Sequence, residues 1–127
     1  MPTMIDNTER LDGRTLAFYL PNLSTAALYA IIRWAGQCRC WRLSQWLVAL
    51  AEGELERRRE DNPPVEADLP KLDVEAFAAY ELIQAMDEAF GMAVAVARMD
   101  APMGKLTVLM YATLSAEAQQ RARRGEP

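Results

Sequence analysis

Histidine is absent from all 127 residues. That removes the serine and cysteine nucleophile systems built on an imidazole base, and every histidine-containing metal site. It also removes the side chain most used for proton transfer near neutral pH. A di-iron carboxylate bundle, which needs two Glu-x-x-His motifs, is excluded as well. Cysteine is scarce: Cys38 and Cys40 are too few for a disulfide framework, and the single residue between them would strain a bond joining them. One tight pair also falls short of the four ligands of a structural zinc site. Arg33, Arg39 and Arg42 are the neighbours that would lower a thiol pKa, but two small residues packed at a helix start are the simpler account.

Glycines stand singly at 13, 36, 53, 91, 104 and 125, so no phosphate-binding loop is present. Gly104-Lys105 resembles the end of one but lacks the upstream glycine and the following Ser/Thr. No cofactor and no metal are expected. Basic excess is missing too: 14 Lys and Arg face 18 Asp and Glu, a net charge of −4. That balance argues against a general binder of nucleic acid or of anionic membranes. Leu16–Ala35 is apolar but is interrupted by Pro21, Asn22, Ser24, Thr25 and Arg33, whereas a spanning helix needs about 20 residues with few such breaks. Met1 to Glu9 lacks the basic-then-apolar order of a secretory signal. A cytoplasmic protein with reduced thiols and no membrane partner is the expectation.

What is present is enough to fold. The chain is 51% hydrophobic and 25% charged, in the globular range, and its length suits a single domain over residues 1–127. Residues 1–20 read as a lead-in in which Gly13 interrupts any helix. After the break at Pro21–Asn22, with Asn22 or Ser24 as cap, Leu28, Ile31, Ile32 and Ala35 recur at helical spacing up to Gly36. A second helix is expected from about Cys38 to Glu60. Leu43, Trp46, Leu47, Leu50 and Ala51 form its main stripe, with Trp41, Val48 and Leu55 on a second side. The short link at Gly36–Gln37 makes these two an antiparallel hairpin.

Pro63, Pro64 and Pro70 among acidic residues mark a crossover loop at about 61–72. Asp73 would then cap a third helix with Ala79, Leu82, Ile83, Met86 and Phe90 inward and Glu81, Gln84, Asp87 and Glu88 outward. Asp100-Ala-Pro102 starts a fourth, carrying Met103, Leu106, Met110 and Leu114 and extending through a polar tail to Gly125. The sum is an all-α, compact bundle of about four helices. The alternative is an α+β fold with a C-terminal β-hairpin at about 92–114, because Ala93–Ala97 and Lys105–Leu114 alternate and Thr107, Val108, Tyr111 and Thr113 favour strands.

Charge distribution is the positive functional signal. No Asp or Glu lies between Gly13 and Ala51, where Arg14, Arg33, Arg39 and Arg42 do, whereas Glu60–Asp100 holds ten acids against Lys71 and Arg98. Such halves attract each other within one chain, meet across a homodimer, or leave a face for a charged partner. Tyr29, Arg33, Arg39, Trp41 and Arg42 have the composition of an interface patch, and Glu81, Asp87 and Glu88 that of an acidic face. The expectation is a non-enzymatic protein-binding module, a small adaptor or inhibitor, with another protein as partner. A phage or mobile-element accessory protein would suit that style of sequence. The alternative is a small nucleic-acid-associated regulator using the arginine-bearing hairpin, although Arg42–Leu50 is poor in the exposed Ser, Asn and Gln of a reading helix.

Overall fold

The computed structural model describes residues 11–96 and 100–125. Among them there are five α-helices and no strand. Helix α1 (Gly13–Tyr19) was hidden in the lead-in. Asp12 caps it: its carboxylate accepts from the Thr15 amide at 2.9 Å, and the Thr15 hydroxyl accepts from the Asp12 amide at 3.0 Å. Gly13 therefore opens a helix rather than interrupting one. A β-carbon there would come within 3.0 Å of the Glu66 carbonyl oxygen, so the absence of one lets α1 lie against the crossover segment. Residues 1–10 of the lead-in lie outside the described residues.

A 3₁₀ turn at Leu20–Asn22 leads to α2 (Thr25–Ala35), capped by Ser24 through the Ala27 amide at 3.0 Å. The apolar stretch across α1 and α2 bends by 119°, and no single helix among the described residues is long and apolar enough to cross a membrane. Helix α3 (Trp41–Arg59) begins three residues later than expected. It ends with the amides of Asp61 and Asn62 donating back to the carbonyls of Arg58 and Arg57, with Asp61 at φ 59° where glycine is usual.

The crossover is longer than its prolines alone imply. Asp73 caps nothing with its side chain; it precedes a second short turn, and α4 starts only at Ala79 and runs to Val96. Leu69, Leu72 and Phe77 anchor this strap in the core, and the Trp46 indole donates to the Pro70 carbonyl at 3.0 Å. Helix α5 (Ala101–Arg123) is capped by Asp100 as its start signal requires. It runs unbroken through Lys105–Leu114, which overturns the hairpin alternative at 92–114. The strand-prone threonines are accommodated because Thr107 and Thr113 donate their hydroxyls to Gly104 and Leu109, one turn back.

Helices α2 and α3 form one packed pair, α4 and α5 a second, and α1 rests on α5 and the strap. One continuous core joins them, with Leu28, Leu43, Leu50, Ala85, Ala89 and Leu114 fully buried. Helix α4 is rotated from its expected setting. Its inner face is Leu82, Ala85, Ala89, Met92 and Val96, together with Glu81, while Ile83 and Phe90 face outward. Alanines allow close approach, and the bonds made by Glu81 and Glu88 fix the rotation.

Two buried ion pairs tie irregular segments to helix ends. Glu54 holds Arg58, at 2.9 Å, and the Arg58 guanidinium donates to the carbonyls of Leu20 and Leu23. Glu117 holds Arg121, at 2.8 Å, and Arg121 donates to the carbonyls of Val74 and Phe77. Arg121→Ala would leave the Glu117 carboxylate buried with Arg124 at 3.8 Å. In urea unfolding it is expected to cost about 3 kcal/mol. Arg59→Ala, which breaks an exposed pair with Glu56, is expected to change stability by less than about 0.5 kcal/mol.

Candidate functional site

The residues of the expected Arg/aromatic patch start from different elements and end in different places. Tyr29 is exposed on the outer side of α2. Arg33 lines a hollow of about 210 Å³ floored by Ala26, Ala27 and Ala30 and closed by Val96, Asp100 and Met103. Arg39, Trp41 and Arg42 sit together at the start of α3, beside the acidic side of α4. The structure thus brings together three of the five.

The expected acidic face lies largely inward. Glu81, in the first turn of α4, is buried and accepts from the Ala78 amide at 2.8 Å and from Arg42 Nε at 3.1 Å. These contacts hold its carboxyl below the usual range, the amide bond first and Arg42 after it. Glu88 accepts the amides of Arg39 and Cys40, at 2.6 and 3.4 Å, just ahead of α3. A carboxylate is favoured there by the positive end of the α3 dipole, where Cys40 offers no side-chain cap. Asp87 alone of the three stays outside, and it meets Arg39 Nη2 at 3.5 Å. Arg39 and Arg42 are therefore partnered within the chain by Glu81, Asp87 and Glu88.

Burial, with Glu88 adding to it, sets the state of the thiols. Cys38 is pushed up to about 12, by burial first and then by the charge and hydrogen bond of Glu88. Cys40 is raised by burial. Of the arginines expected to activate them, Arg39 and Arg42 are turned onto carboxylates, and both thiols are shifted toward the protonated form. No cluster of three or more metal-ligating side chains exists among the described residues.

One surface of the patch stays open. The Arg42 guanidinium lies over the Trp41 ring, 4.6 Å from its centroid, and half of Trp41 is exposed. Together they form one wall of a groove of about 310 Å³, with Trp46, Leu72 and Phe77 as floor and Lys71 on the strap side. The sequence offered no sign that Lys71 and Phe77 would face Trp41, because the fold of the strap makes that contact. Periodicity placed Ile83 and Phe90 inward, whereas both are exposed, as are Tyr80, Val94 and Val108. On α4 the available signal was the 3-4-3-4 spacing of Tyr80, Ile83, Asp87, Phe90 and Val94.

Because the Glu81 carboxyl is lowered on folding, its contribution is complete above its ordinary value of 4.5 and is lost as pH falls through the folded value. Glu81→Gln is expected to flatten the acid limb of stability below about pH 4.5, measured by urea unfolding between pH 3 and 6. An unchanged acid limb would show that the Ala78 and Arg42 contacts contribute nothing. Compared with known proteins, the chain matches no family model, no curated protein and no solved structure, so the groove and its charges are read from their own geometry.

Proposed function

We propose that the chain is a non-enzymatic protein-binding module, a small adaptor or inhibitor, that holds a segment of another protein in the Trp41–Arg42 groove. The observation that carries this is the exposed Trp41 ring with Arg42 stacked on it at the rim of an apolar-floored groove. Tryptophan and arginine dominate binding hot spots when they are held rigidly beside a pocket. Here the Glu81 pair fixes Arg42 before any partner arrives, which lowers the ordering cost of association.

The non-enzymatic half of the reading is supported by how the reactive groups are employed. Glu54, Glu81, Glu88 and Glu117 hold arginines or backbone amides, and the thiols are kept protonated. None of these carboxylates or thiols lines the groove, whose own ionisable side chains are Arg42, Lys71 and Asp73.

Reversing Arg42 would break its pair with Glu81, so Trp41 and Lys71 are the informative positions. Peptides selected from a displayed random library on the immobilised chain are expected to bind Trp41→Ala at least about 30-fold more weakly. Lys71→Glu is expected to alter which peptides are selected. Binders indifferent to both substitutions would remove the groove from the proposal.

A further inference from the structure

Helix α4 carries two apolar seams. Leu82, Ala85, Ala89, Met92 and Val96 follow a 3-4-3-4 spacing and enter the core. Tyr80, Ile83, Asp87, Phe90 and Val94 follow the same spacing two residues earlier, about 200° around the helix. That is the repeat of a helix that packs on another helix, but here it points away from the protein. Tyr80, Ile83, Phe90 and Val94 are 65, 68, 58 and 64% exposed. Val108 and Tyr111 of α5 continue the surface, with the Tyr111 ring 6.0 Å from that of Phe90.

We propose that this seam pairs with the same seam of a second copy, the two α4 helices running antiparallel across a two-fold axis at Asp87. Shape favours this register: it sets Tyr80 against Val94 and Ile83 against Phe90, so on either side of the central Asp87 level a larger ring meets a smaller side chain. Charge permits it, because each Asp87 carboxylate reaches the axis with its own Arg39 beside it. The seam holds one carboxylate, Asp87, and beside it one guanidinium, Arg39, at 3.5 Å. Two copies therefore bring two of each to the axis, and the face needs no oppositely charged foreign partner. Elsewhere the net charge of −4 opposes self-association. The exposed parts of these side chains amount to roughly 600 Å² per copy, so their complete burial in a pair would cover at most about 1,200 Å², the lower end for specific interfaces. The seam shares no lining residue with the Trp41 groove, so this inference stands independently of the proposed function.

Light scattering after size-exclusion chromatography of the full chain is the first test. A mass near twice 14.3 kDa is expected at high micromolar concentration. Phe90→Glu and Ile83→Glu, both at exposed positions, are expected to weaken dimerisation by roughly 30-fold or more while circular dichroism stays unchanged. Asp87→Cys is expected to form an inter-chain disulfide under mild oxidation, whereas wild type and Tyr80→Cys alone do not. A monomer at every concentration overturns the proposal and leaves the seam to a different protein. A dimer indifferent to Phe90→Glu overturns it as well. Loss of the dimer in Phe90→Glu without cross-linking of Asp87→Cys overturns the antiparallel register.

Discussion

The arrangement depends on a carboxylate buried inside a helix that orients an arginine one turn later. Glu54 does this for Arg58 and Glu117 for Arg121, and in each case the guanidinium goes on to two carbonyls of a non-helical segment. A buried carboxylate needs a charged partner, and an exposed-backbone segment needs donors for its carbonyls. One arginine answers both needs. Through these two ties, the corner between α1 and α2 is fixed to the end of α3. The strap before α4 is fixed in the same way to the end of α5.

The segregation of charge along the chain has the same logic at larger scale. The acid-free stretch from Gly13 to Ala51 presents Arg39 and Arg42 to α4, and α4 returns Glu81, Asp87 and Glu88. Only part of this is ion pairing: Glu81 and Glu88 also receive backbone amides at the two helix starts. A lysine-for-arginine exchange could keep the charges, but reversing the acids would strip those amides as well. The two halves are thereby fitted to each other in register, not merely attracted.

Much of the fold was legible because local signals and burial agreed. Ser24 and Asp100 cap as their sequence neighbourhoods imply, and Leu28, Leu43, Leu50 and Leu114 are core. The expected stripe of α4 failed because size misled. Ile83 and Phe90 outweigh Ala85 and Ala89 in any hydrophobic pattern, but the small residues permit close packing and the carboxylates determine the rotation. Glu54 and Glu117 are buried without any local sign of it, since nothing in the sequence around them distinguishes a buried carboxylate from a solvated one. The groove was half visible, through Trp41 and Arg42. Its other wall comes from Lys71, Leu72 and Phe77, which reach it through the path of the strap, a property no sequence window contains.

The tie between Arg121 and the strap spans 44 and 47 residues of sequence. During synthesis from the amino end, the α2–α3 pair can assemble early, whereas the strap carbonyls of Val74 and Phe77 wait for the last turns of α5. One wall of the groove is thus completed only once α5 has been made, so the assembled groove reports that α5 is present and docked.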